Sequence, residues 1–137
     1  VTARILVVED NALNMQLLSD LLTIHGYDVL QASNGEQALA LATTRYPALI
    51  LMDISLKGMT GLEVTRRLRT DPRTAAVPIL AVTAFAGEED RRQALMAGCD
   101  GFISKPIDTR QLPRTVATYL KEGPARGTAR DTAHPHR

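Results

Sequence analysis

Three carboxylates stand in two short stretches, Glu9-Asp10 and Asp53, each at the end of an apolar run: Ile5-Leu6-Val7-Val8 and Ala48 to Met52. Two further runs end in Thr83-Ala84 and in Ser104-Lys105-Pro106. If these runs are neighbouring strands, three carboxylates, a hydroxyl and an ammonium converge from four of them. A like-charged pair about 4 Å apart costs on the order of 4 kcal/mol at an effective dielectric of about 20. Such a cluster either raises a carboxyl pKa or holds a cation. Oxygen ligands without His or Cys select a hard ion, and few protein ligands with room for water and phosphate suit Mg²⁺. Lys105 as a point charge, Thr83 as a hydroxyl donor and backbone N–H groups after the fourth strand suit a phosphoryl group. Asp53 is then a candidate nucleophile able to form an acyl phosphate. Taken singly, an Asp at a strand end is commonly a helix cap and a Lys-Pro a turn, so only the joint placement carries the reading.

The elements that must position these groups alternate along the chain. After the first strand, Asn11 to His25 has helical spacing, with Leu13, Leu17, Leu21 and Ile24 on one stripe, Leu18 and Leu22 beside it, and Gly26 at the C′ position. Asp28 to Ala32 is a short strand. Asn34 with Gln37 makes a capping-box-like start for a helix through Arg45, ended by Tyr46-Pro47. Ala48 to Met52 is the third strand and Leu62 to Arg69 a helix. Ile79 to Thr83 is the fourth strand. Glu88 to Ala97 is a helix with acids in its first turn and Gly98 at its end. Gly101 to Ser104 is the fifth strand, and a last helix starts at Asp108 or Thr109.

Five βα units in a row imply an α/β doubly wound parallel sheet. Strands one, three and four are apolar on both faces, as central parallel strands must be, whereas strands two and five carry Asp28, Gln31 and Ser104. That fits the order 2-1-3-4-5, a flavodoxin-like topology whose switch point lies between strands one and three. Ligands bind there, beyond the carboxyl ends of the strands.

Composition narrows the function classes. The 137 residues, 45% apolar and 23% charged, suffice for one domain. The longest apolar run is far short of the roughly 18–20 residues of a membrane span. One cysteine, Cys99, excludes a disulfide framework or zinc ribbon, and a net charge of +1 offers no excess for gripping nucleic acid. A soluble intracellular domain is expected over residues 1–122. Residues 123–137 contain no Val, Ile, Leu, Phe or Met, include His134 and His136, and read as a disordered tail. Cys99 reads as a small buried filler, His25 as a helix-end residue over the last carbonyls, and Arg66, Arg67 and Arg69 as a solvated helix face.

Glu9-Asp10-Asn11, Met52-Asp53-Ile54, Gly61-Leu62-Glu63, Val82-Thr83-Ala84 and Ser104-Lys105-Pro106, in this order and spacing, resemble the receiver domain of two-component response regulators over residues 3–121. Ala81 to Ala86 and Ile103 to Ile107 add a likeness to the single-domain, cell-cycle-regulator branch. The resemblance implies that Asp53 is the phosphoacceptor, and that Glu9, Asp10, Asp53 and the Ser55 carbonyl hold Mg²⁺. It implies that Thr83, Ala84 N–H and Lys105 contact the phosphoryl group, that Phe102 with Thr83 forms a switch, and that Lys105-Pro106 is cis. The donor would be a histidine kinase or histidine phosphotransfer protein. The downstream target would meet the face of the fourth helix, fifth strand and fifth helix, where Glu89, Arg92 and Arg110 lie. Such a domain has no enzymatic activity beyond its own phosphorylation and dephosphorylation.

Two departures from the family pattern stand out. Lys57-Gly58 replaces a usual proline, followed by Thr60 where an acid is common. Pro113 falls within the last helix, which should therefore begin near Leu112 or kink there. Phe102 also lacks a tyrosine hydroxyl, so its outward position has no hydrogen bond to lose and the unphosphorylated switch should be leaky. Three rivals remain. A phosphatase of the haloacid-dehalogenase kind needs a second Asp where Ser55 stands. A flavodoxin-like cofactor binder needs a Gly-rich loop where Asp10-Asn11-Ala12 stands. A receiver-shaped interaction module, or a receiver cut from a hybrid kinase, would share these motifs.

Overall fold

The computed structural model describes residues 2–84 and 87–122; the tail at 123–137, and Phe85 and Ala86 of the fourth-strand motif, lie outside them. The chain alternates as β1 (Arg4–Val8), α1 (Ala12–Ile24), β2 (Asp28–Ala32), α2 (Gly35–Arg45), β3 (Leu49–Asp53), α3 (Gly61–Thr70), β4 (Ile79–Thr83), α4 (Glu88–Ala97), β5 (Gly101–Ser104) and α5 (Gln111–Glu122). All pairings are parallel, and the sheet order is β2-β1-β3-β4-β5. Every residue of β3 and β4 is buried, whereas the edge strand β2 is buried at one position, as its mixed composition requires.

Side chains alternate across the sheet and build two cores. Leu6, Val8, Ile50, Met52, Ile79 and Ala81 face α2, α3 and α4, where Ala38, Ala42, Val64, Leu68 and Ala94 meet them. Ile5, Val7, Leu49, Leu51, Leu80 and Val82 face Met15, Leu18 and Leu22 of α1 and Leu112 and Val116 of α5.

The helix termini follow local chemistry. Asn11 caps α1 by accepting from the Asn14 N–H at 2.9 Å, and Asn34 caps α2 by accepting from the Gln37 N–H at 2.8 Å. The Gln37 side chain reaches back to the Ser33 N–H, one residue before the usual capping-box partner. Asp108 accepts from the N–H groups of Arg110 and Gln111, so α5 begins at Gln111. Pro113 then sits in the first turn, where no intrahelical N–H is needed. His25 Nδ1 lies 3.0 Å from the Leu21 carbonyl, and Gly26 takes φ +91°, both as expected.

Two expectations are corrected. The α1 stripe of Leu13, Leu17, Leu21 and Ile24 is not the core face: Leu13 is 82% and Ile24 78% exposed. Met15, Leu18, Ser19 and Leu22 are buried instead, with the Ser19 hydroxyl accepting from Gln31 Nε2 at 2.8 Å. Apolar residues occupy two adjacent stripes of this helix, wider than the strip of sheet it covers, so periodicity alone did not choose between them.

The second correction concerns the basic trio. Arg66 and Arg67 are exposed and pair with Glu63, but the Arg69 side chain is only 13% exposed. It donates to the carbonyls of Gly98 at 2.9 Å and Val77 at 2.8 Å and to Asp100 Oδ2 at 3.0 Å. Asp100 also accepts from the Ile79 N–H at 2.8 Å, and its own carbonyl accepts from the Tyr119 hydroxyl. A guanidinium fork is the side chain with enough donors for this many acceptors at the entry of β4 and β5. Gly98, at φ +117°, leaves the room: a Cβ there would lie 2.6 Å from Arg69 Cγ.

Asp100→Ala strands Arg69 and the Ile79 N–H, so a loss of about 3–5 kcal/mol is expected in urea unfolding. Arg66→Ala is expected to stay within about 0.5 kcal/mol of the parent. Equal effects would mean that Arg69 is as solvated as its neighbours.

Candidate functional site

The carboxyl ends of β1, β3, β4 and β5 come together on one rim of the sheet. One ligand atom from each of Glu9, Asp10 and Asp53 lies within 4.8 Å of the others, with Glu9 and Asp53 buried and Asp10 exposed. Among the described residues this is the one cluster of its kind. Register explains it: β1 pairs with β3 through Val8↔Met52, so the residues after each pair emerge side by side. The Glu9 N–H donates to the Ala32 carbonyl at 3.0 Å, continuing the β1–β2 ladder one step into the site.

Each carboxylate is held differently. Glu9 Oε2 accepts from the Asn11 N–H at 3.1 Å, while the buried Oε1 accepts no hydrogen bond. Asp53 Oδ1 accepts from the Ser55 N–H at 2.9 Å. Lys105 reaches both, with Nζ 3.4 Å from Glu9 Oε1 and 3.5 Å from Asp53 Oδ2. The Lys105 N–H donates to the Thr83 carbonyl at 2.9 Å, which fixes the end of β5 against the end of β4. The Lys105-Pro106 peptide is cis, as expected. Thr83 is buried in the all-buried β4, and Ala84 follows it exposed on the rim.

The β3–α3 loop supplies two groups that sequence reasoning did not use. The Lys57 N–H donates to Asp10 Oδ2 at 3.1 Å, a bond a proline could not make. The family's usual stiff residue is thus replaced by a hydrogen bond, with Gly58 turning the chain at φ +76°. Gly61, quoted only as part of a motif, opens α3 directly beneath the site. A Cβ there would collide with the Asp53 carbonyl oxygen and lie 2.9 Å from Ile54 Cα, so any side chain would displace Asp53. Thr60 caps that helix, accepting from the Glu63 N–H.

Cys99 takes no part. It is buried against Thr65 of α3, and burial pushes its thiol up to about 11, which keeps it protonated and inert.

Burial is the largest cause that raises the Glu9 carboxyl above its ordinary 4.5, and the Asp53 carboxyl beside it adds to the rise. A carboxyl whose pKa is higher folded than unfolded binds more protons when folded. Its contribution is therefore fully present below the unfolded value and is lost as pH rises through the folded one. In chelator, Glu9→Gln is expected to raise stability at pH 7 and to bring no gain below about pH 4.5. Urea unfolding across that range checks it; a pH-independent difference would locate the strain elsewhere.

Comparison with known proteins agrees with this geometry. The family model described as the response regulator receiver domain matches residues 5–117. The polar-differentiation response regulator DivK of Brucella ovis is 43% identical over 119 residues, spanning 87% of this chain and 97% of that protein. DivK of Brucella anthropi is 44% identical over 116 residues, covering 85% and 94%. Among solved structures, chemotaxis protein CheY4 of Vibrio cholerae superposes with a TM-score of 0.83 at 29% identity, covering 86% of this chain and 98% of that one. The receiver domain of a sensor histidine kinase from Pseudomonas aeruginosa, solved with a magnesium ion coordinated in its active-site cleft, has a TM-score of 0.83 at 33% identity, with coverage of 88% and 99%. An acidic triad on the central strands, a lysine at the end of β5 and a match over nearly the whole described fold leave one assignment: the chain belongs to the response regulator receiver domain family.

Proposed function

We propose that this domain receives a phosphoryl group on Asp53 from the phosphohistidine of a histidine kinase or histidine phosphotransfer protein, in a Mg²⁺-dependent reaction. The observation that carries the reading is the triad itself, two of whose three carboxylates are buried with a single lysine between them. The buried Glu9 Oε1 without a hydrogen bond, and an all-oxygen donor set, fit a hard divalent ion. Glu9, Asp10, Asp53 and the Ser55 carbonyl would hold it. When bound, the ion supplies positive charge that offsets the carboxylates and the phosphoryl oxygens.

The chain's own groups do the rest. An Asp53 carboxylate oxygen attacks phosphorus, the P–N bond to the donor imidazole breaks, and the imidazole leaves with the electron pair and is protonated. The Ser55 N–H and Lys105 hold Asp53 in place, so the attacking group has little freedom to lose. Lys105, the Thr83 hydroxyl and the Ala84 N–H would take the transferred oxygens. Catalysis ends there, with hydrolysis of the acyl phosphate as the return step. A donor of this class is charged from ATP, which supports a cytoplasmic place of action. Among the described residues no helix is long and apolar enough to cross a membrane. The downstream protein would meet the face of α4, β5 and α5, where Glu89 and Arg92 pair at 2.7 Å and Leu95 and Met96 are exposed.

Acetyl phosphate with Mg²⁺ is expected to add one phosphoryl group, read as intact mass, and Asp53→Asn is expected to abolish it. Labelling that persists in that variant overturns the assignment. Mg²⁺ is also expected to raise the melting temperature, by about 1.4 kcal/mol of added stability at ten times its Kd. Asp10→Asn is expected to stabilise the metal-free protein by relieving repulsion and to lose the Mg²⁺ response. A metal shift equal in mutant and parent would put the ion elsewhere.

A further inference from the structure

The Phe102 ring on β5 is half-buried, and the Arg91 guanidinium of α4 lies 5.2 Å over its centroid. The same ring borders a cleft of about 50 Å³, lined by Ile54, Leu62, Thr83, Asp90, Gln93 and Ala94. Thr83 and Phe102 thus share one space, between the carboxylate rim and α4. A hydroxyl drawn toward new phosphoryl oxygens on Asp53 would enlarge that space on its Thr83 side, and Phe102 is the large side chain beside it.

We infer that Arg91 is the latch that holds the Phe102 ring out of this cleft, and that it sets how far the unphosphorylated domain already resembles the phosphorylated one. The inference rests on the reading of Asp53 and Thr83 above. A cation over a ring face is attracted by the ring quadrupole. The contact depends on the ring's rotamer, because Phe102 pivots on β5 while Arg91 is carried by α4. Turning the ring toward Thr83 removes its face from beneath the guanidinium. Sequence reasoning gave the outward phenylalanine nothing to lose, and hence a leaky switch. The structure supplies a partner that a ring without a hydroxyl can still use. At a partly exposed site such a contact biases the two ring positions about two- to fivefold. By linkage, whatever favours the outward ring opposes the phosphorylated state by up to the same factor.

The test uses the full chain carrying 4-fluorophenylalanine. It has two phenylalanines, so Phe102→Leu identifies the Phe102 resonance. Fluorine NMR with and without beryllofluoride and Mg²⁺ reads the ring position, and titration of beryllofluoride reads its affinity. Arg91→Met keeps an unbranched side chain and removes the cation; Arg91→Lys keeps a cation. Without beryllofluoride, Arg91→Met is expected to raise the inward-to-outward ratio about two- to fivefold, with beryllofluoride affinity rising by up to that factor. Arg91→Lys is expected to recover most of the difference. A change in melting temperature with ring ratio and affinity unmoved would make Arg91 merely structural and overturn the latch. Beryllofluoride that binds the parent while the Phe102 resonance stays fixed overturns the switch, and the latch with it. Failure of beryllofluoride to depend on Asp53 overturns the reading of the site instead. In that case the ring ratio without beryllofluoride still decides the latch.

Discussion

The structure depends on holding three carboxylates together where they repel. Glu9, Asp10 and Asp53 offer oxygens within 4.8 Å of one another, and two of the three residues are buried. The two central strands that carry them, β1 and β3, are apolar on both faces and clamped between two layers of helices. Lys105 offsets part of the repulsion from the end of β5, and backbone N–H groups of Asn11, Ser55 and Lys57 each take one carboxylate oxygen. The Glu9 carboxyl stays raised although Lys105 lies 3.4 Å from its Oε1, which accepts no hydrogen bond, so one lysine does not offset three carboxylates. That residue of uncompensated charge is what gives a divalent cation something to bind.

A second buried ionic group occupies the entry of β4 and β5. There the charges are matched: Arg69 meets Asp100 at 3.0 Å together with the Gly98 and Val77 carbonyls. One cluster leaves charge over and the other consumes it. The matched one joins α3, β4, β5 and, through Tyr119, α5, and so ties the entry of β4 and β5 to two helices.

Much of this was legible in the sequence because it is local or periodic. Four of the elements, β2, β4, α4 and β5, have the bounds their patterns gave, and the strand order followed from which runs were apolar on both faces. The triad was legible because it sits at strand ends, where topology decides neighbours. The core face of α1 was not, since a second apolar stripe lies beside the buried one. Nor was Arg69: its spacing on α3 resembles that of Arg66 and Arg67, and only the fold brings Asp100 and the carbonyls of Thr74, Ala75, Val77 and Gly98 to it. Lys57 read as a missing proline, whereas its N–H is a new contact whose acceptor, Asp10, lies 47 positions away. Phe102 was legible as a switch position, but its contact with Arg91 had no signal, because a cation and a ring on different elements follow no sequence period.

Buried apolar surface falls off across the sheet from β3 toward β5 and α4. β3 is buried at all five positions, while β5 is an edge strand with Phe102 half-buried. α4 has no side-chain cap at Gly87, and among its residues only Ala94 and Ala97 are buried, so it anchors itself with two methyl groups. α1, by contrast, buries Met15, Leu18 and Leu22. Elements with little buried apolar surface are the ones that shift at small cost. Chemistry that needs fixed geometry therefore sits on the strands least able to move, and the ring and guanidinium sit on the elements most able to. Thr83 lies at the boundary: its carbonyl is tied to the end of β5 by the Lys105 N–H, and the residue lines a cleft together with Phe102. On the proposed reading, a phosphoryl group on Asp53 would act on α4 without disturbing the strands that hold it.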